Sequence, residues 1–188
     1  MQKFPVQSLL SLKKITCHAL VMAALFSISS CQKGETGPKG ATGSANVVYS
    51  DWFTPAAYTV TTVFGIKDFD YTKAAPGITQ TVLDSGIVLT YGKLLGYNTA
   101  VWPAGQVSQL PILLTYVQGT TQTDTWSALA TVGSLRIDFV NSANFYTSIS
   151  TSHSFRYIII PGGVHGGRQM DFHSMTYAQV CDYLQIAP

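Results

Sequence analysis

Charge is scarce in this sequence. Only 11% of its 188 residues are Asp, Glu, Lys or Arg, and a single glutamate, Glu35, occurs. That shortage removes the usual material for a paired-carboxylate glycosidase. The nearest approach is Asp68 and Asp70, which would share a face if extended but read here as solvated turn residues. No G-x-S-x-G, no H-E-x-x-H and no phosphate-cradling glycine loop followed by Lys-Ser/Thr is present. Basic residues are scattered singly rather than gathered into a stripe, which excludes nucleic acid as a partner. Cysteine is short too: Cys17, Cys31 and Cys181 are too few for a disulfide framework. What is plentiful is apolar and aromatic matter, 46% and 12% of the chain. A chain so composed has a core to bury and is not intrinsically disordered.

The apolar matter is unevenly placed. Lys3, Lys13 and Lys14 precede an apolar stretch from Ile15 to Ile28, which ends in "LFSISSC". A membrane-spanning helix needs ~20 such residues, so this one is short for a span. Basic flank, apolar centre and small residues in that order read as a secretory signal over residues 1–30. Ile28, Ser29 and Ser30 before Cys31 resemble the lipobox of bacterial lipoproteins. The resemblance implies that Cys31 becomes the first residue and carries diacylglycerol. Each buried methylene contributes ~0.8 kcal/mol, and the two or more chains of a lipoprotein cysteine make a stable anchor. Without residues 1–30, three of the eleven basic residues leave, and eight face nine acidic ones, a net charge of −1. Cys17 leaves with the signal and Cys31 takes lipid, so no intramolecular disulfide remains to Cys181.

Residues 31–45 form a second segment. Glycine recurs at Gly34, Gly37, Gly40 and Gly43 in "GETGPKGATGSA", the spacing a collagen triple helix requires. Four triplets with one proline are too few to offset the ordering entropy of three chains. The segment reads as a flexible tether, long enough to span a few tens of Å at ~3.1–3.3 Å per residue. Lipobox cysteine, Gly-x-y triplets and then "ANVVYSDW", "DSGIVLTYGKL", "VWP", "LRIDFVNS" and "FRYIIIPGG" together resemble small collagen-like-repeat lipoproteins of Gram-negative bacteria. The resemblance implies a place in the cell envelope, at the outer membrane or cell surface, with the membrane as partner through the lipid. It brings no reaction and no cofactor.

Residues 46–188 change grammar. "YTVTTVFGI" alternates and predicts one half-buried strand. "DFDYTKAAPG" predicts a turn region, and "ITQTVLDSG" a helical turn closed by Gly86. "IVLTYGKL" is nearly all apolar and predicts a central strand, "GYNTAVWPAG" a loop, "ILLTYV" a strand after Pro111, and "GTTQTD" a turn. "TDTWSALATV-GS-LRIDFV" predicts a hairpin about Gly133–Ser134, and "FRYIIIP" a last strong strand. At the C-terminus Thr176 and Gln179 form a capping box, Met175 can staple on Val180, and Tyr177, Val180, Cys181 and Leu184 make a helical stripe with Cys181 as a small buried hydrophobe. Together these predict an all-β fold: an antiparallel β-sandwich with a short C-terminal α-helix, a closed barrel being the alternative.

Candidate chemistry is thin. His165, Asp171 and His173 in "VHGGRQMDFH" offer two imidazoles and a carboxylate for a metal, with Asp171 and His173 sharing a face if extended, and would suit a metal-dependent hydrolase. As a polar surface loop the same residues need no metal. Trp52, Trp102 and Trp126 offer a stacking platform for a glycan if two are coplanar and exposed, and otherwise belong to core and rim. The expected role is non-enzymatic: a cell-envelope lipoprotein acting as a surface interaction or structural module for a protein or glycan ligand, with no cofactor.

Overall fold

The computed structural model describes residues 47–162 and 170–188. Cys31, the Gly-x-y segment and His165 lie outside the described residues.

Among the described residues nine strands form two antiparallel sheets: β1 (Val48–Tyr49), β2 (Thr59–Val63), β3 (Ile66–Ala74), β4 (Ile87–Lys93), β5 (Ser108–Gln109), β6 (Ile112–Gln118), β7 (Thr120–Thr131), β8 (Ser134–Asn141) and β9 (Ser154–Ile160). One sheet has the order β1-β9-β4-β5, the other β2-β3-β8-β7-β6. Among the described residues neither sheet closes on itself, and the fold is a two-sheet sandwich rather than a closed barrel. Helix α1 (Gln80–Ser85) follows β3, and helix α2 (Tyr177–Leu184) closes the C-terminus.

The sheets differ in how many faces they cover. The inner face of the five-stranded sheet contributes Phe69, Trp126, Leu135, Ile137 and Phe139 to a core shared with Phe155, Tyr157 and Ile159 of β9. On the outer face of the four-stranded sheet, Leu89, Tyr91, Ile158 and Ile160 form a second core with Phe172, Tyr177, Val180 and Cys181. β9 is thus covered on both sides, and it reads as a nearly continuous apolar run interrupted by Arg156; β8 is covered mainly on one side and alternates. Gly92 faces inward on β4, where a Cβ would stand 3.2 Å from Ile112 Cδ1 and 3.3 Å from Leu110 Cδ1. Its missing side chain lets the two sheets close together.

Both helices begin and end for identifiable reasons. Thr79 accepts from Val82 N–H at 3.3 Å to start α1, and Gly86 N–H bonds to Val82 O to end it. Thr176 and Gln179 form the expected capping box of α2, and Gln185 ends it in a left-handed conformation. Val180 and Cys181 are buried, and Met175 packs on the same cluster.

Four expectations are corrected. "YTVTTVFGI" is a strand and the start of a hairpin, not one strand: Phe64 (φ 49°) and Gly65 (φ 82°) form a two-residue turn between the paired Val63 and Ile66. Two successive positive φ values are the mirror-image turn that suits strand twist. "DFDYTKA" is not a turn but most of β3, because Phe69 and Tyr71 alternate with Asp68 and Asp70 against β8. "GTTQTD" shrinks to a turn at Gly119 (φ 75°), and its threonines already belong to β7. The following hairpin turns at Val132–Gly133, one residue before the expected pair, with Thr131 opposite Ser134.

Candidate functional site

The expected metal ligands are used otherwise where they are described. Asp171 accepts the His173 N–H at 3.1 Å and so caps a 3-10 turn, Phe172–Ser174. A turn, not an extended segment, holds the two residues. His173 Nδ1 lies 3.0 Å from Gln109 Nε2. Among the described residues no three His, Cys, Asp or Glu side chains are grouped to hold a metal.

The tryptophans do not form a platform. Trp126 and Trp102 are buried, at 0% and 5% exposure. Trp52 is half-buried, edge-on to Tyr177 at 5.6 Å with Lys93 Nζ 3.8 Å above its ring. Asp68 and Asp70 lie in β3, not in a turn; Asp70 is paired with Asp138 of β8. Arg136 Nε stands 2.8 Å from Asp138 Oδ1. Burial raises the carboxyls of Asp68 and Asp138, with Arg136 opposing.

The most concentrated polar chemistry is elsewhere, at the end of the shared core. β7 points Gln122, Asp124 and Trp126 inward at period two, and β8 points Asn141 beside them. Asp124 is fully buried. Asn141 Nδ2 donates to its Oδ1 at 2.7 Å and to Gln122 Oε1 at 2.8 Å. The Tyr97 hydroxyl donates to Oδ2 at 2.9 Å, and it accepts from Trp126 Nε1–H at 3.0 Å. Tyr116 and Tyr146 hydroxyls lie 3.0 and 3.2 Å from Oδ2 and 2.7 Å from each other. Each has one proton, so one of them donates to its neighbour while the other serves the carboxylate. Burial holds all three tyrosines above their ordinary range, with the Asp124 charge adding to it in each case. They stay protonated and act as donors.

Beside this network lies a cavity of about 170 Å³, walled by Tyr97, Trp126, Phe139, Tyr146, Ile149 and His153. Leu95 N–H donates to His153 Nδ1 at 3.1 Å. That bond places the ring proton on Nε2 in the neutral form. Burial pushes the His153 imidazole down to about 4, against a weaker upward pull from Asp124. The ring is therefore neutral at neutral pH. Ser148 and Ser150 also line the cavity.

A second buried charge sits under α2. Arg156 is 4% exposed. Its Nε donates to Ser50 O at 2.9 Å, and Nη1 donates to Ala187 O at 2.7 Å and to the Tyr177 hydroxyl. Its guanidinium lies 4.7 Å from the Tyr49 ring centroid. Arg156 thereby fastens the first strand, the last strand and the C-terminal segment with donors that fit carbonyls and stack on rings. Buried Tyr91, in the same cluster, is pushed up to about 12 by burial.

Neither buried charge was named from the sequence. Arg156 stood inside an apolar run and Asp124 inside a threonine-rich stretch that reads as a turn. The available signal was periodicity: Gln122, Asp124 and Trp126 at i, i+2 and i+4 place a charge on the face of a buried tryptophan. The chain matches no protein-family model, no curated protein and no solved structure.

Proposed function

We propose that this chain is a lipid-anchored module of the cell envelope, at the outer membrane or cell surface, with a non-enzymatic interaction or structural role. Cys31 carries the lipid, the Gly-x-y segment is the tether, and the β-sandwich is the part presented. The observation that carries the reading is the order of the N-terminal segments. Basic flank, apolar stretch, small residues and cysteine occur in the sequence a lipoprotein signal requires, and the first strand begins at Val48, directly after the Gly-x-y segment.

The sandwich suits such a role in one further way. Among the described residues no helix packs on the outer face of the five-stranded sheet. It exposes Leu113, Val117 and Leu129 among short hydroxyl side chains such as Thr115 and Thr123, which bond each other at 2.9 Å. Over β6 and β7 this face offers apolar and hydroxyl groups, and over β3 and β8 it carries Asp68, Asp70, Arg136 and Asp138; a face of that mixed kind is suited to contact with another surface.

Fractionation of cells expressing the full chain or Cys31→Ser tests the anchor. The full chain is expected in the detergent-soluble membrane fraction and the variant in the aqueous fraction. Equal membrane association of both would overturn the proposal.

A further inference from the structure

The Asp124 carboxylate is fully buried, and every partner it has among the described residues is a neutral donor. The ion pair formed among the described residues is Arg136–Asp138, on the opposite face of the sheet. A charge taken from water needs compensation, and neutral donors supply only part of it. The unopposed negative potential reaches the cavity through Tyr97 and Tyr146. Both line that cavity and both bring a hydroxyl to Asp124 Oδ2. His153, in the cavity lining, is neutral and adds no positive charge, and Lys67, whose Nζ donates to Tyr146 O at 3.0 Å, does not line the space.

The walls narrow the class of cation. The half-buried rings of Tyr97 and Tyr146 line the space, with the buried Trp126 and Phe139 behind them, and aromatic rings attract positive charge. Ca²⁺ and Mg²⁺ need six or more oxygen ligands, and the wall offers only a few hydroxyls. A hydrated lysine-like ammonium would leave donors unpaired against the rings. A methylated ammonium has no N–H to satisfy and packs its methyl groups on aromatic carbon. A cavity of about 150 Å³ accepts benzene, so this one of about 170 Å³ has room for a tetramethylammonium-sized group.

We propose that the cavity between Tyr97, Trp126, Tyr146 and His153 binds a small methylated ammonium cation, with Asp124 behind the wall as its counter-charge. Ser148 and Ser150 at the lining are placed to meet a hydroxyl or ester oxygen carried by the same molecule. The site is independent of the lipid anchor, and Cys31→Ser keeps it.

The test is choline chloride titrated into the full chain in a maltoside detergent, against 3,3-dimethyl-1-butanol as the uncharged isostere and NaCl at matched ionic strength. Methyl saturation-transfer NMR and tryptophan fluorescence report binding. Choline is expected to bind saturably, and the isostere at least about tenfold more weakly, as a desolvated cation–π contact implies. Asp124→Asn is expected to bring choline down to the isostere's level. Ser148→Leu, at an exposed lining position, is expected to abolish binding of both without affecting the fold, and it decides the matter if Asp124→Asn does not fold. Equal binding of choline and its isostere, no saturable choline signal on folded protein, or unchanged binding by Ser148→Leu would each overturn the site.

Discussion

The two sheets bury opposite charges and are dressed differently. The four-stranded sheet is covered on both faces, by the other sheet and by α2, and its buried charge is the cation Arg156. The five-stranded sheet, whose outer face carries the buried Asp138 paired with Arg136, packs through its inner face, and the charge in that core is the anion Asp124. Among the described residues neither Arg156 nor Asp124 forms an ion pair. Arg156 meets carbonyl oxygens and aromatic rings, while Asp124 meets hydroxyls and an amide. The two sites use the donors and acceptors that each sign of charge can use, and they do different mechanical jobs. Arg156 ties chain segments 106 and 31 residues away to β9, so it is a fastener. Asp124 gathers side chains around a cavity.

The largest expected effect comes from removing the anion. Asp124→Ala leaves tyrosine and amide donors buried without an acceptor and is expected to cost about 3–5 kcal/mol, read as a lower urea midpoint with unchanged slope. A loss under about 1 kcal/mol would mean that the donors find other partners. Arg156→Met keeps the stem's packing, so it is expected to cost less in global stability. Its distinguishing mark is faster amide exchange in α2 with β7 and β8 unaffected.

A second pair of substitutions addresses coverage. Ile158→Ala, on the face under α2, is expected to cost about 2–5 kcal/mol. Leu113→Ala, 62% exposed on the outer face of the other sheet, is expected to stay within about 0.5 kcal/mol. Similar losses at both positions would show that the outer face of the five-stranded sheet is also covered.

The cavity wall adds a pH effect. His153 binds its proton less readily folded, at about 4, than unfolded, at 6.5. The unfolded chain therefore gains a proton first as pH falls, and stability drops between about pH 6.5 and 4, then levels off. The full loss is on the order of 3 kcal/mol. Denaturant midpoints at pH 7, 5.5 and 4 measure it. The variant His153→Asn, which keeps an acceptor for Leu95 N–H, is expected to flatten that part of the profile; an unchanged slope would assign it to other groups. A local effect is expected at the helix: Thr176→Ala is expected to cost about 1 kcal/mol, seen as fraying of α2 in amide exchange.

The same contrast explains what the sequence revealed. "FRYIIIP" and "IVLTYGK" were legible because strands covered on both sides carry apolar side chains at nearly every position. "LRIDFVN" was legible because one-sided cover makes a clean alternation. The capping box at Thr176 and Gln179 is local chemistry and needed no tertiary information. The β2–β3 hairpin was hidden because Phe64 occupies a left-handed position usually held by Asn, Asp or Gly. β7 lost its first residues because Thr, Gln and Asp at 120–124 have turn-like composition, and only their pairing with β6 makes them a strand. The Asp124 network was illegible as a site: its partners come from separations of 8 to 27 residues on strands and loops, a juxtaposition that exists only once the sheets pack. The tryptophans followed the packing alternative, since large rings stabilise a core more than they do a solvated face.

The central claim is that Cys31 anchors this sandwich to a membrane. Intact-mass analysis of the chain purified from the membrane fraction tests it most directly. The expected species begins at Cys31 and is heavier than its unmodified mass by a diacylglyceryl group with or without a further acyl chain. A membrane-fraction species that retains residues 1–30, or one that begins elsewhere and carries no lipid, would contradict it.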